Sequence, residues 1–272
     1  MRPPLRIALA QTGGQPDSIE GSLAELARHA ADAAKAGAAF LLLPELALSG
    51  YGDPAKTRSL ALTVDTATAR VGAIARSHGI GILVGYCEKF AEGHANAALL
   101  VAADGRRLLN YRKMHLWGAY EEAIFTPGGP GEVIDLCEGI KAGVLICFDL
   151  DHPVTAQDLV ARGADVVLVL SGTTKPYGVV PLVQVPARAY ENSVFVAFCD
   201  QAGPQNGCDF VGLSTVAAPD GSVLTRAGAA AGELVFADLD PTAYEAYRSA
   251  HRYADQLRRD LYPAPQRLRD LR

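Results

Sequence analysis

The chain has 272 residues and a formal net charge of −5, so it offers no electrostatic attraction to nucleic acid or to an anionic membrane surface. Hydrophobic residues make up 49% and charged residues 20% of the sequence, a balance that lets a large core form without disulfides or metals. No apolar run approaches the roughly 18 residues of a membrane-spanning helix, and we expect residues 1–14 to contain a first strand rather than a signal peptide.

Cysteine usage indicates a reducing, cytoplasmic setting. The five cysteines are odd in number and irregular in spacing, and no two of them form a C-x-x-C pair. Such a pattern disfavours a disulfide framework, a zinc site or a thioredoxin-like motif. We therefore expect neither a metal nor another cofactor.

The first half of the chain predicts strands that alternate with helices. Leu5–Gln11 is a buried strand, and residues 19–36 form a helix with apolar residues at the spacing i, i+3, i+4 and i+7. Next, the sequence predicts a strand at 40–43, a loop at 45–56, a helix at 66–78, a strand at 80–85, and a hairpin of 96–102 with 107–111.

The second half predicts a long loop, more strands and further helices. In chain order these are a loop at 113–131, strands at 133–136 and 142–146, a helix at 154–162, a strand at 166–170, a helix at 182–192, strands at 193–199, 214–217, 222–225 and 233–237, a helix at 242–257 and an extended tail around 263–265. No shift in composition marks a linker, so we expect residues 1–272 to form one α/β domain in which helices cover a mixed sheet. Its core would span residues 5–240, with a C-terminal helix and tail at 241–272.

Three predicted strands each end in a polar residue that directly follows an apolar run. Glu45 follows one strand with a carboxylate, Lys113 follows another with an amine, and Cys147 follows a third with a thiol. Ligand sites of open α/β sheets lie at the carboxyl ends of strands, so the three side chains could share one pocket.

Together these groups could carry out acyl transfer. A cysteine thiol with a pKa of about 8.5 needs a base or a cation to become a nucleophile. Glu45 could act as that base, while Lys113 and the backbone N–H of Phe148 could stabilise an oxyanion. Taken singly, each residue also has a structural interpretation: an exposed glutamate, a solvated lysine and a small core cysteine.

Six ordered segments resemble the nitrilase, or carbon–nitrogen hydrolase, superfamily. They are LLLPELALSGY (41–51), YRKMHLWG (111–118), FTPGG (125–129), GVLICFDLDHP (143–153), GADVVLVLSG (163–172) and PARAYENSVFV (186–196). Their order and spacing match the superfamily across roughly residues 5–240. The resemblance implies a four-layer α-β-β-α sandwich that assembles as a homodimer or a larger homo-oligomer.

The resemblance also implies catalytic roles. Cys147 would be the nucleophile that forms a thioester and releases ammonia, Glu45 the general base and Lys113 the oxyanion stabiliser. A second glutamate, which orients the lysine or the substrate, would be Glu121, with neighbouring Glu122 as a rival. Within the superfamily the chain most resembles small bacterial aliphatic amidases that act on amino-acid amides or ω-amino amides, 5-aminopentanamide among them.

Several residues near these segments are candidates for the substrate pocket. They are Tyr51, Trp117, Tyr120, Phe148, Asp149 and Thr173. Asp149 and Asp151 could favour a cationic substrate group, although either could instead cap the following helix. The sequence departs from the resemblance at His152 and Val154, where relatives usually carry an aromatic residue and a glutamate.

Other functions stay open from the sequence. The same catalytic set could hydrolyse an N-carbamoyl amine or a nitrile, and a catalytically silent binding protein could keep the fold. A Cys147–His152 pair is a further option, but the two residues lie only five positions apart, just before Pro153, and would need unusual geometry. The absence of a G-x-S-x-G motif argues against a serine α/β-hydrolase.

Overall fold

Two six-stranded sheets form the centre of the structure, a computed structural model that describes residues 4–14, 16–251, 253–256 and 258–261. The strands, in chain order, are β1 (Leu5–Gln11), β2 (Phe40–Leu42), β3 (Gly81–Phe90), β4 (Gly93–Val101), β5 (Arg107–Arg112), β6 (Val133–Cys137), β7 (Ile140–Ile146), β8 (Val166–Ser171), β9 (Phe195–Asp200), β10 (Ala202–Gln205), β11 (Cys208–Val211), β12 (Thr215–Ala217), β13 (Val223–Arg226) and β14 (Glu233–Leu239).

Helices connect the strands. They are α1 (Ile19–Lys35), α2 (Pro54–Ser59), α3 (Val64–His78), α4 (Gly118–Ile124), α5 (Pro153–Ala161), α6 (Val185–Asn192), α7 (Glu245–Ala250) and α8 (Tyr253–Gln256), with a π-helical turn at Val180–Gln184 and 3₁₀ turns at Cys147–Asp149, Pro241–Tyr244 and Arg259–Leu261. Ser18 caps α1 by accepting a hydrogen bond from the Gly21 N–H at 3.1 Å. Within the described ranges, every helix is too short or too polar to cross a lipid bilayer.

Both sheets are mixed. The first has the order β14-β1-β2-β3-β4-β5 and the second the order β13-β12-β9-β8-β7-β6. Adjacent strands β1, β2 and β3 run parallel, as do β7, β8 and β9, whereas the flanking strands pair in antiparallel fashion. Each parallel trio therefore directs its carboxyl ends toward one edge of its sheet, where loops can collect functional groups.

The two sheets pack face to face, and helices cover their outer faces. In β1, Ile7 and Leu9 belong to the core between the sheets, while Ala8 and Ala10 face the helical layer of α1 and α3. On the other sheet, a third apolar cluster joins alternate residues of β7–β9 to α5 and α6. These clusters confirm the predicted four-layer α-β-β-α sandwich.

The structure confirms the predicted hairpin and changes other predicted elements. Strands β4 and β5 form an antiparallel hairpin. The loop predicted at 113–131 contains α4, and the loop predicted at 45–56 ends in α2, which Asp53 caps. The prediction of one long helix at 242–257 is wrong, because α7 ends at Ala250, before His251. No residue of α7 is buried, so no core contact extends this helix. The tail predicted at 263–265 lies outside the described residues.

The sequence analysis missed the two-stranded ribbon of β10 and β11. Its turn is Asn206-Gly207, and both residues have positive φ, 46° and 80°. Asn-Gly between short strands is the strongest local signal for such a turn, so the ribbon could have been predicted.

Candidate active site

The structure brings the three strand-end residues into one buried cluster. Lys113 follows β5, and Glu45 lies three residues after the end of β2 in the same sheet. The Nζ of Lys113 lies 2.7 Å from Oε1 of Glu45. Cys147 follows β7 of the opposite sheet and interacts electrostatically with both residues. The cluster therefore lies where loops from both sheets meet.

Glu121 completes the cluster. Its Oε1 lies 2.7 Å from Lys113 Nζ and accepts a hydrogen bond from the Tyr51 hydroxyl at 2.9 Å, while its Oε2 accepts one from the Trp117 N–H at 2.9 Å. Neighbouring Glu122 is exposed on the outer side of α4. Of the two neighbouring glutamates, Glu121 is therefore the one that contacts Lys113.

Burial and neighbouring charges shift the pKa values of the cluster. Burial disfavours the charged form of Lys113, but the Glu45 and Glu121 carboxylates outweigh it and raise the pKa of this lysine. Burial also raises the pKa of Glu45 to about 7, against the opposing effect of Lys113. The pKa of the Cys147 thiol is raised well above its ordinary value, because burial and Glu45 together outweigh the opposing effect of Lys113. The resting cluster therefore holds a neutral thiol beside a carboxyl group that titrates near neutrality.

One oxygen of Glu45 is free to accept a proton. Its Oε1 is held by Lys113 and by the Asn96 amide at 2.7 Å, and its backbone carbonyl accepts from Gln201 Nε2 at 2.7 Å. The buried Oε2 has no hydrogen-bond partner among the described residues. This oxygen therefore keeps its lone pairs available to a proton donor in the cavity.

Cys147 sits on a strained turn. Its φ is +44°, in the left-handed region that non-glycine residues rarely adopt. Asp149 supports the turn by accepting hydrogen bonds from the Ile146 N–H at 3.1 Å, the Tyr111 hydroxyl at 2.7 Å and the His115 N–H at 2.9 Å. The carboxylate of Asp149 is fully buried and held by these donors, so it supports the turn, and its predicted contact with substrate stays a prediction.

A cavity of about 180 Å³ opens onto the Cys147 side chain. Its lining residues are Tyr51, Trp117, Cys147, Phe148, Asp151, Gly172, Thr173, Thr174, Tyr177 and Val180. Four predicted pocket residues thus line it, namely Tyr51, Trp117, Phe148 and Thr173. Tyr120 does not line the cavity, because it packs behind Tyr51 with ring centroids 4.7 Å apart and hydrogen-bonds Thr57.

Two histidines near the nucleophile turn contact each other. The rings of His152 and His115 lie 4.3 Å apart, and His152 also packs against Phe148 at 4.9 Å. Burial and neighbouring His115 lower the pKa of His152. These ring contacts place His152 in a packing role at the start of α5.

The sequence analysis missed several residues of the site. Asp200 and Gln201 follow the apolar run of β9, the same signal that identified Glu45 and Cys147. Asp200 is fully buried, and its Oδ1 accepts hydrogen bonds from the Thr173 and Gln201 N–H groups at 2.8 and 3.0 Å. Tyr177 lies in a segment without periodicity, so no pattern could have identified it.

Comparisons with known proteins identify the family of this chain and agree with its fold. The Carbon-nitrogen hydrolase family model matches residues 6–249. A hydrolase from Pseudomonas protegens is 36% identical over 95% of this chain and 90% of its own length. An (R)-stereoselective amidase from a Pseudomonas species is 34% identical over 69% of this chain and 68% of its own length.

Solved structures of the amidase from Nesterenkonia sp. AN1 are also similar. The butyramide complex of a variant of that enzyme superposes with a TM-score of 0.85 at 31% identity, covering 96% of each chain. In another variant, acrylamide is attached to the active-site cysteine by Michael addition. From the family match and these relatives, this chain belongs to the carbon–nitrogen hydrolase family.

Proposed function

We propose that this protein hydrolyses the amide bond of a small linear amide and releases ammonia. The observation that carries the proposal is the position of Lys113, whose Nζ lies 2.7 Å from both Glu45 and Glu121 beside the only described cysteine that opens onto this cavity. Similarity to amidases supports the choice of bond. A cavity of about 180 Å³ is smaller than the roughly 300–1,000 Å³ of sites for drug-sized ligands, so it suits a small aliphatic or amino-substituted amide.

The first half of the reaction forms a thioester. Glu45 takes the thiol proton of Cys147 on its free Oε2, and the sulfur attacks the amide carbonyl carbon. Lys113 stabilises the negative charge that develops on the carbonyl oxygen, together with the backbone N–H of Phe148. When the tetrahedral intermediate collapses, Glu45 returns the proton to the nitrogen, the carbon–nitrogen bond breaks and ammonia leaves.

The second half hydrolyses the thioester. Glu45, now ionised again, takes a proton from a water molecule, whose oxygen attacks the thioester carbonyl carbon. The carbon–sulfur bond then breaks, and the sulfur of Cys147 regains the proton from Glu45. The product is a carboxylic acid. Glu121 acts throughout as a positioning residue, because its carboxylate holds Lys113 and the Trp117 backbone.

Ammonia release from a panel of amides tests the proposal. Cys147→Ala should abolish release and should prevent a covalent acyl adduct in intact-mass spectra of the protein. Cys137→Ala is the matched control, because this cysteine is half-buried at the end of β6, away from the cavity. Equal activity of the two variants would exclude Cys147 as the nucleophile.

The same panel, extended by two control compounds, identifies which kind of carbon–nitrogen bond the protein cleaves. An N-carbamoyl amine would release carbon dioxide as well as ammonia, and a nitrile would be consumed without any amide in the assay. If the N-carbamoyl amine or the nitrile is hydrolysed faster than every amide, the proposal that the protein is an amidase is overturned. Binding of an amide to the wild-type protein with neither turnover nor adduct would indicate a silent binding protein.

We also propose that the protein acts as a homo-oligomer in a reducing, cytoplasmic compartment. Val179, Leu182, Val183 and Tyr190 are exposed at helical spacings along the π-helical turn and α6, and such an apolar face favours association with a second copy. A free thiol nucleophile requires reducing conditions. Light scattering should give at least twice the chain mass, and Val183→Lys should lower it.

A further inference from the structure

Asp151 presents a carboxylate without a partner to the cavity. It lines the cavity together with Cys147 and is only partly exposed. Throughout the described part of the chain, no side chain donates a hydrogen bond to this carboxylate or forms an ion pair with it. A partly buried, unpaired carboxylate is costly, and a bound cation would offset that cost.

The tight turn after the nucleophile directs Asp151 toward the cavity. Successive hydrogen bonds run from the Leu150 N–H to the Cys147 carbonyl at 2.9 Å and from the Asp151 N–H to the Phe148 carbonyl at 3.2 Å. In this 3₁₀-type geometry, side chains three residues apart lie on the same side. Phe148 and Asp151 therefore share the cavity wall, whereas Asp149 turns inward to support the turn.

Three basic groups, His152, Arg188 and Lys113, favour the charged form of Asp151 from a distance, but burial outweighs them and raises its pKa, and none of them forms an ion pair with its carboxylate. Arg188 directs its guanidinium to the Leu150 and Asp151 backbone carbonyls at 3.0 and 3.2 Å and to Glu191 at 3.0 Å. Lys113 is committed to its two glutamates, and the lowered pKa of His152 favours its neutral form. Among the residues that line the cavity, Asp151 is the charged one.

Aromatic rings face the same space. Trp117 and Tyr177 are both exposed and lie edge to face, with ring centroids 6.0 Å apart. Ring faces attract cations through their quadrupole even at exposed sites. An anionic group would meet neither a cationic partner nor a favourable ring face here.

We propose that Asp151 is a specificity-determining residue whose carboxylate binds a positively charged group of the substrate, so that the cavity prefers an ammonium-bearing amide and rejects an anionic one. This inference rests on the proposed amidase function and adds to it the charge of the substrate.

Three amides of nearly equal size test the inference: 4-aminobutanamide as the cation, pentanamide as the neutral isostere and succinamate as the anion. The wild-type kcat/KM should be about 10- to 100-fold higher for the cation than for pentanamide, as expected for a hydrogen bond between charged groups. Asp151→Asn should remove most of this preference, because kcat/KM should fall far more for the cation than for pentanamide. Asp151→Lys should increase turnover of succinamate.

Asp158→Asn is the matched control, because Asp158 lies on the exposed side of α5, and it should keep the wild-type preference. Equal wild-type kcat/KM for the cation and pentanamide, or an equal loss for all three amides in Asp151→Asn, would overturn the inference while amide hydrolysis stands. Failure of all three amides to release ammonia would overturn the proposed function and this inference together. Dissociation constants of the unreacted amides for Cys147→Ala provide a second readout, which should rank the cation first.

Discussion

Lys113 and Glu45 form an ion pair in which Nζ and Oε1 lie 2.7 Å apart and both side chains are shielded from solvent. The same ammonium pairs with Glu121 at 2.7 Å, so one cation serves two carboxylates. Without it, two buried carboxylates would face each other in a region of low dielectric constant. Lys113 therefore maintains the fold of the site in addition to the role that we propose for it in stabilising the oxyanion.

Lys113→Met should reduce both activity and stability. Breaking a buried ion pair from one side costs about 3–5 kcal/mol of unfolding free energy, because the remaining charge is left without a partner. Loss of an oxyanion donor lowers kcat by about 100- to 1,000-fold. Denaturant unfolding and ammonia release measure the two effects.

Lys89→Met provides the control for that variant, since Lys89 is exposed at the end of β3. It should leave both quantities within experimental error of the wild-type protein. A Lys113→Met protein with unchanged stability would contradict the interpretation of the buried pair.

The activity of the protein should depend on the ionisation of Glu45. Since burial raises the pKa of this carboxyl to about 7, kcat/KM should rise with pH through that value as the base form appears. Glu45→Gln removes the base and should lower kcat/KM by about 100- to 10,000-fold. Steady-state kinetics between pH 5 and pH 9 provide the measurement, and Glu122→Gln should keep the wild-type profile. A wild-type profile with its midpoint near the ordinary glutamate value of 4.5 would argue against this assignment.

The sequence could predict three members of the cluster because each of them follows an apolar strand, whereas Glu121 lies in α4 and was indicated only by the family resemblance. Burial of a strand fixes where it ends, and the end fixes where the next polar side chain emerges. For this reason Glu45, Lys113 and Cys147 could be identified before their distances were known. The same rule applies to Asp200, the last residue of β9, and to Gln201, which follows it.

The cavity wall could not be predicted in the same way. Asp149 and Asp151 have the same chemistry and lie two residues apart, yet the tight turn that starts at Cys147 buries one and directs the other to the cavity. Tyr177 and Val180 reach the site from a loop and a π-helical turn whose positions depend on tertiary packing. Local sequence carries no periodic signal for either arrangement.

Asp200→Asn should stabilise the protein at neutral pH. Asp200 is fully buried, its Oδ2 has no hydrogen-bond partner among the described residues, and burial raises its pKa well above the ordinary value of 3.8. A carboxyl whose pKa is raised on folding contributes its full stability below the unfolded value and loses it as pH rises through the folded value. The neutral amide avoids that loss and keeps an acceptor for the Thr173 N–H.

Denaturant unfolding at pH 4 and pH 7 measures this effect. The stability advantage of Asp200→Asn over the wild-type protein should be larger at pH 7 and should shrink toward pH 4. Asp200→Ala should instead be destabilised by about 1–3 kcal/mol, because two backbone N–H groups lose their acceptor. An Asn variant that is less stable than the wild type at pH 7 would show that Asp200 is needed as a charged group.

Gly172→Ala should impair catalysis without unfolding the protein. A Cβ at this position would lie 3.1 Å from Oε2 of Glu45 and 3.2 Å from the Phe210 ring. The added methyl group would crowd the oxygen that we propose as the proton acceptor, and overpacking of this kind costs about 1–3 kcal/mol. We therefore expect a lower stability by about that amount and a lower kcat/KM, because displacement of Oε2 misplaces the proton acceptor. In Gly129→Ala a Cβ meets nothing within 4 Å, so this variant should keep wild-type kinetics. Equal kinetics for the two variants would show that Oε2 tolerates displacement and would remove it as the proton acceptor.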